Sequence, residues 1–186
     1  MQARAWLIVA VLAVAACGGP APPGAVPPPA APAGAPDAAA RAAAIEAGLA
    51  GLQKVDGTWQ RGADRIAYSA YYANGELRFL EERVTVPGGA PRHNRYYFTA
   101  GRLFYFDGAV PAGKLGGGGD ALAPTLPVRA EFQGARTLSA VRLEHYGAVP
   151  IGEPAAAEIR RQAAEIATIA ASEQRAEGTL PPAGTH

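Results

Sequence analysis

The alternation of apolar and polar residues between positions 59 and 106 predicts consecutive antiparallel strands. Segments 71–79 and 97–105 of this stretch resemble each other at a spacing of twenty-six residues, with Gly75 aligned to Gly101 and Leu77 to Leu103. Asn-Gly between two strand-forming runs favours a two-residue type I′ turn, because both turn positions need positive φ. Ala100-Gly101 is a weaker form of the same signal. We therefore predict two hairpins.

The turns also predict the pairing of the strands. Tyr72 is expected opposite Leu77, Tyr71 opposite Arg78, Ala70 opposite Phe79, Phe98 opposite Leu103, Tyr97 opposite Phe104, and Tyr96 opposite Tyr105. Since side chains alternate between the two faces of a strand, one face of the first hairpin should form the core. Its expected members are Ile66, Tyr68, Tyr72, Leu77 and Phe79.

Helical periodicity flanks the strands. An apolar stripe with Asp37 as its N-cap predicts a helix that ends near Asp56-Gly57. A second stripe predicts a helix over 154–174 that begins at Pro154. Segments 128–132 and 137–146 are expected to add two strands. The predicted fold is α+β: an N-terminal helix, an antiparallel meander of about six strands and a C-terminal helix, in one domain over 37–176, followed by a disordered tail over 177–186. The two stripes consist of Ala38, Ala42, Ile45, Leu49 and Leu52, and of Ile159, Ala163, Ile166 and Ala170.

The N-terminal region has a different pattern. Arg4 precedes twelve apolar residues over 5–16, which as a helix would cover about 18 Å and so fall short of the roughly 30 Å hydrocarbon core of a bilayer. Residues 1–16 are therefore predicted to be a removable secretory signal. Segment 18–36 contains eight prolines and is predicted to be a tether, either coil-like or extended as polyproline II. A proline-rich ligand for a partner groove is the alternative.

The end of this signal, Val14-Ala15-Ala16-Cys17, resembles the lipobox of bacterial lipoproteins. The resemblance implies cleavage before Cys17, acylation of Cys17 with two or three chains, and a stable membrane anchor. Because Gly18 and Gly19 follow and no aspartate stands at the second mature position, it also implies the periplasmic face of the outer membrane. An ordinary secreted protein is the alternative.

Composition excludes several functions. The net charge is +1, which predicts no nucleic-acid partner. His93, His145 and His186 are isolated, and Cys17 is the single cysteine, so we expect no metal site and no cofactor. Ser69, Ser139 and Ser172 lie in no nucleophile motif. We therefore expect a protein that is not an enzyme.

The surplus of aromatic residues is the main functional signal. Eleven of the fourteen aromatic residues lie between Trp59 and Phe106. Both faces of the second hairpin are aromatic, so one face needs a cover or a ligand. The candidate ligand or partner surface comprises Tyr71, Tyr96, Tyr97 and Phe104, with Arg92 and Arg95 as basic residues that could meet a lipid phosphate. The alternative is a sheet covered by helices on both faces, or a partly closed barrel.

The Tyr-Tyr-x-Asn-Gly-x-Leu string at 71–77 resembles the repeat unit of variant MORN-type bacterial proteins. This resemblance implies consecutive hairpins and no catalytic residue. The sequence as a whole predicts a non-catalytic interaction module, anchored through Cys17, whose partner is an envelope protein or a lipid. The alternatives are a protein that binds or senses a lipid or small apolar ligand, and a hydrolase with an unrecognised site.

Overall fold

The computed structural model describes residues 37–115 and 124–179, which belong to one compact unit. The predicted signal over 1–16, Cys17, the tether and the end of the predicted tail from residue 180 lie outside the described residues. The elements are α1 (Ala38–Ala47), a 3-10 turn (Leu49–Gly51), β1 (Gln53–Arg61), β2 (Asp64–Ala73), β3 (Glu76–Thr85), β4 (Arg92–Thr99), β5 (Arg102–Pro111), α2 (Ala112–Leu115), β6 (Thr125–Gln133), β7 (Arg136–Glu144), β8 (Gly147–Pro150) and α3 (Glu153–Thr179).

The strands form one antiparallel sheet in chain order from β1 to β8. The predicted order of helix, meander and helix is confirmed. The expected number of about six strands is too low, since β1 and β8 are additional. The protein is therefore mostly β. In chain order, α1 precedes the first strand and α3 follows the last one.

The missed strand β1 begins where the first helix was expected to continue. Asp37 accepts a hydrogen bond from the Ala39 amide, as an N-cap does, but α1 ends at Ala47. The 3-10 turn then leads into a strand in which Val55 is buried and every second residue faces the sheet's covered side. The prediction of a helix reaching Asp56-Gly57 is wrong. Leu49 and Leu52 keep the helical spacing in the sequence, but Leu49 lies in the 3-10 turn and Leu52 follows it, just before β1.

Both predicted hairpin turns are confirmed. Asn74 and Gly75 have φ values of 52° and 77°, and Ala100 and Gly101 have 49° and 70°, as a type I′ turn requires. The second pair from each turn is also as predicted, with Tyr72 opposite Leu77 and Phe98 opposite Leu103.

A bulge after the second pair shifts the register of both hairpins. Tyr71 lies opposite Phe79 instead of Arg78, and Tyr97 lies opposite Tyr105 instead of Phe104. The same shift follows the second pair of the β6–β7 hairpin. An extra residue on one strand reverses the faces of all residues beyond it. Likewise Ala70 pairs with Leu80 and Tyr96 with Phe106, so the expected pairs with Phe79 and Tyr105 are wrong.

The sheet separates two hydrophobic clusters. Helix α3 covers one face and α1 covers part of the other, against β3 and β5. Phe79 belongs to the α1 side, so its predicted place beside Tyr72 is wrong. The larger cluster includes Val55, Ile66, Tyr68, Tyr72, Leu80, Tyr96, Phe98, Phe106, Phe132, Ile159, Ala163, Ile166 and Ala170, and the smaller one Ala42, Phe79, Tyr97, Phe104 and Tyr105.

The buried stripe of α3 is the predicted one. The helix begins one residue before Pro154 and continues past the predicted end at Gln174 to Thr179. In the described part of the chain, neither α1 nor α3 combines the length and the apolar character needed to span a bilayer.

Candidate functional site: a groove along helix α3

The aromatic residues of the expected surface are divided between the two faces of the sheet. Tyr97 is 2% exposed beneath α1, where its hydroxyl donates to Glu46. The guanidinium of Arg41 lies 4.1 Å from the centre of the Phe104 ring. Tyr96 is fully buried on the α3 side. Tyr71 is partly buried at the border of the α1 cluster. The structure therefore places Tyr71, Tyr97 and Phe104 on the α1 side of the sheet and Tyr96 on the α3 side, so the four do not form one surface.

The two arginines of the expected surface hold parts of the fold together. Arg92 is 9% exposed and forms a 2.9 Å ion pair with Asp64. Arg95 reaches Glu46 of α1 at 3.0 Å and Asp107 of β5 at 2.6 Å, and thereby fixes α1 on the sheet. Both guanidinium groups already have carboxylate partners.

A buried polar cluster lies on the α3 side of the sheet. The carboxylate of Glu82, 1% exposed, accepts hydrogen bonds from Asn94 Nδ2 at 3.0 Å and the Tyr96 hydroxyl at 2.7 Å. Arg61 lies 3.8 Å away. Burial, together with the nearby Glu82 carboxylate, raises the pKa of Tyr96 well above its usual value. The adjoining cavity measures about 20 Å³, which is room for one water-sized molecule, so the cluster serves the fold.

A first groove of about 550 Å³ lies across the outer face of β1, β2 and β3. Its charges are balanced in pairs: Lys54 lies 2.9 Å from Asp56, and Arg83 lies 2.7 Å from Glu81. Hydrogen bonds from Ser69 and Lys54 lower the pKa of Asp56. Tyr71 is the one residue of the expected surface that lines this groove. We call it the β groove.

A second groove, of about 800 Å³, runs between α3 and the turns of the β4–β5 and β6–β7 hairpins. We call it the α3 groove. None of its thirteen lining residues is acidic and three are arginines. The lining consists of Phe98, Gly101, Arg102, Leu103, Gly134, Ala135, Arg160, Ala163, Ala164, Ala167, Thr168, Ala171 and Arg175.

The rim arginines of the α3 groove are held differently. Arg160 donates to Thr137 Oγ1 at 2.6 Å and to Glu153 at 2.5 Å, and its guanidinium lies 5.4 Å from the centre of the Phe132 ring. Arg102 and Arg175 are exposed. The groove thus has one arginine held by two hydrogen bonds and two arginines with exposed side chains.

None of the six residues of the expected surface lines the α3 groove. A signal was present in the sequence: Ala164, Ala167, Thr168, Ala171 and Arg175 follow helical spacing beside the buried stripe. Small side chains are only weakly hydrophobic, so the sequence does not identify this second stripe as the wall of a groove. The groove becomes apparent only in the fold, where the hairpin turns lie opposite these residues.

Two histidines, His93 and His145, lie within the described residues. His93 lies 2.9 Å from Glu81 and is half exposed, while His145 packs edge-on against Tyr146 in the β7–β8 turn. Within residues 37–115 and 124–179, the side chains of His, Cys, Asp and Glu form no group of three or more that could hold a metal ion. His186 lies outside the described residues.

Comparisons with known proteins gave no match. No family model matches the chain, and neither the curated proteins nor the solved structures include a significant match.

Proposed function

We propose that this protein is a lipid-anchored, non-catalytic binding module of the bacterial envelope, and that the α3 groove is its binding site. The observation that carries the proposal is the groove itself. Its volume of about 800 Å³ lies within the range of small-molecule and side-chain binding sites, which are mostly apolar with a few placed polar groups.

The chemistry of the groove supports binding over catalysis. Its polar side chains are three arginines and one threonine, and the Thr168 hydroxyl donates to the Ala164 carbonyl at 2.8 Å. General acid–base or nucleophilic catalysis needs a group that gains or loses a proton near neutral pH, or an activated nucleophile. The lining residues supply neither, whereas guanidinium groups over an apolar floor are suited to hold a ligand.

The anchor is supported by the sequence. The lipobox-like end at Cys17 and the proline-rich tether would hold the domain near the periplasmic face of the outer membrane. There it would contact an envelope protein or a lipid without releasing its own attachment.

Site-specific photo-crosslinking in the native envelope tests the binding proposal. A diazirine-bearing residue would replace Thr168 in the α3 groove, and a matched control would replace Ala67, which is exposed in the β groove. We expect a defined adduct from position 168 that position 67 does not give. Equal labelling at the two positions, or none at 168, would contradict the proposal.

The anchor has its own test. The intact mass of the natural protein should show a chain that begins at Cys17 and carries acyl chains, and Cys17→Ser should move the protein out of the membrane fraction. A free thiol at Cys17 in the mature protein would refute the anchor and leave the groove proposal standing.

A further inference from the structure

The two edge strands of the sheet, β1 and β8, differ in what they offer to a further strand. β8 has four residues and ends at Pro150, which has no N–H group. β1 has nine residues and no proline. Short strands and prolines protect a sheet edge, and an edge without them can pair with another strand. The edge of β1 is therefore suited to pairing along its length.

Gly62 and Ala63 form a two-residue turn between β1 and β2, which determines where the backbone groups of β1 point. In such a hairpin the flanking pair, Arg61 and Asp64, exchanges both backbone hydrogen bonds, and bonded and non-bonded pairs then alternate. The odd-numbered residues of β1 therefore bond to β2, and the N–H and C=O groups of the even-numbered residues point outwards. In the part of the chain that the structure describes, these outward groups have no backbone partner. The outward residues are Lys54, Asp56, Thr58 and Gln60.

The charges on the edge of β1 are compensated. Lys54 and Asp56 form an ion pair at 2.9 Å, and the other two outward residues are uncharged. On the opposite face of the strand, Arg61 lies 3.8 Å from the buried carboxylate of Glu82. An edge of this kind can join an identical edge without a net repulsion between like charges.

One side chain of β1 has a buried donor without an acceptor. Nε1 of Trp59 is buried and has no hydrogen-bond partner among the described residues, which costs free energy. Trp59 packs against the larger cluster and lies on the same face of β1 as Gly57. Beside Gly57, the Glu173 carboxylate occupies the place that a side chain would take. That carboxylate accepts from the Tyr68 hydroxyl and has further acceptor sites.

Symmetry limits the ways in which two copies of β1 can pair. The outward groups of one strand must face those of the other, so a two-fold axis lies at one residue of the strand. An axis at Asp56 would place two carboxylates opposite each other. An axis at Gly57 would bring together the Glu173 carboxylates of the two copies. An axis at Thr58 avoids both repulsions.

We propose that β1 pairs antiparallel with β1 of a second copy of this chain about a two-fold axis at Thr58, so that the two sheets join into one. Trp59 of each copy then lies opposite Gly57 of the other, where the Glu173 carboxylate can accept from its N–H group. Both α3 helices lie on the same face of the joined sheet. The residues that line the α3 groove lie outside β1, so this inference goes beyond the proposed binding function and does not depend on it.

Sedimentation and tryptophan fluorescence test the pairing with the mature chain from residue 17 that carries Cys17→Ser. Trp59 is the single tryptophan of this chain, so its emission reports directly on the interface. We expect a dimer that dissociates on dilution, with an emission maximum that moves to shorter wavelength as the dimer forms. A monomer at every concentration up to about 1 mM would overturn the proposal, as would a dimer that leaves the emission unchanged.

Two proline variants locate the interface. Thr58→Pro removes an outward N–H group and no hydrogen bond to β2, so it should weaken the dimer at least about tenfold. Ala148→Pro is the matched control, because Ala148 has its N–H group on the free edge of β8. In dilute solution both variants should unfold at the urea midpoint of wild type. Equal dimerisation of the two variants would overturn the proposal.

A single cysteine tests the register independently of these variants. Thr58→Cys places two thiols opposite each other across the axis, with Cα atoms about 5.5 Å apart, which a disulfide can bridge. Gln60→Cys is the control, since its two copies would lie four residues apart along the strands, about 13 Å. We expect mild oxidation to give a covalent dimer from position 58 and not from position 60. No disulfide at position 58, or equal yields at both positions, would refute the pairing and leave the α3 groove proposal standing.

Discussion

The hydroxyl of Tyr96 donates a 2.7 Å hydrogen bond to Oε2 of Glu82, and both side chains are buried between the sheet and α3. Asn94 contacts the same oxygen at 3.0 Å. A buried carboxylate is tolerated only when its oxygens have partners. The pairing of β3 with β4 places Glu82 opposite Asn94, so the cluster favours this register.

Removal of the Tyr96 hydroxyl should therefore weaken the fold. Tyr96→Phe leaves Glu82 with one donor fewer, and we expect a loss of about 1.5–3 kcal/mol in the free energy of unfolding, measured by urea titration. Tyr105→Phe is the matched control. Tyr105 lies in the α1 cluster, away from Glu82, so its replacement should cost less stability than that of Tyr96 because it removes no donor from a buried carboxylate. Equal effects of the two variants would contradict this account of the cluster.

A side chain at position 108 is expected to lower the stability of the fold, because Gly108 lies beside Asn94. A Cβ at this position would meet Asn94 Oδ1 and lie 2.6 Å from Cζ of Phe106. The Asn94 oxygen also accepts from the Ala109 amide at 3.0 Å, so Gly108→Ala would displace the cluster. We expect a loss of about 1–3 kcal/mol from overpacking.

The control for Gly108 is Gly51→Ala. Gly51 has open space around its added Cβ, so its replacement should be neutral or stabilising by about 0.4–1 kcal/mol. If Gly108→Ala unfolds at the same urea concentration as wild type, the close approach of Asn94 has no energetic consequence.

The second hairpin should be stabilised by a better turn residue. Ala100 has a φ of 49°, a left-handed conformation that costs an alanine roughly 1–2 kcal/mol. Ala100→Gly removes that cost and should raise the melting temperature by several degrees. Ala135→Gly, at a turn position where φ is not positive, should lower it slightly. A lower melting temperature for Ala100→Gly would contradict the turn assignment.

Alkaline pH should destabilise the domain. Burial raises the pKa of both Tyr96 and Tyr97, and for Tyr97 the hydrogen bond to Glu46 adds to the rise. In the unfolded chain these tyrosines lose their protons near pH 10. Since the folded state retains more protons, stability is fully present below about pH 10 and falls as the pH rises above it.

The measurement is the urea midpoint at several pH values between 8 and 11.5. Tyr97→Phe should flatten part of the decline, because phenylalanine has no proton to lose. Ultraviolet titration of the folded and the guanidinium-unfolded protein should show delayed tyrosine ionisation in the folded state. A midpoint that stays constant through pH 11 would refute the buried, protonated state of these hydroxyls.

Local signals in the sequence were sufficient for the turns and the helix N-cap. Asn74-Gly75 adopts the positive φ values that its residue types favour, and the pairing of Tyr72 with Leu77 follows from this turn. The bulge does not follow, because the shift of Tyr71 to Phe79 depends on which face each aromatic ring packs against. The aromatic surplus was therefore recognised, but its division between α1 and α3 was not predicted.

Strand β1 could not be recognised from its own residues. Gly57 lies in its middle, and an added Cβ there would clash with Glu173 and Tyr68, which are hydrogen-bonded to each other. One of the side chains that leaves no room for a Cβ at position 57 is Glu173, which lies on α3, more than a hundred residues further along the chain. The α3 groove was missed for a related reason, since its floor and rim come from separate elements.

Native mass spectrometry of the protein, isolated from its own envelope without denaturation, tests the α3 groove as a binding site. We expect wild type to carry a bound molecule that collisional activation releases, and the Ala164→Trp variant to carry none, while Ala67→Trp in the β groove retains it. An equal amount of the bound molecule in all three proteins would contradict the assignment of the α3 groove as the binding site.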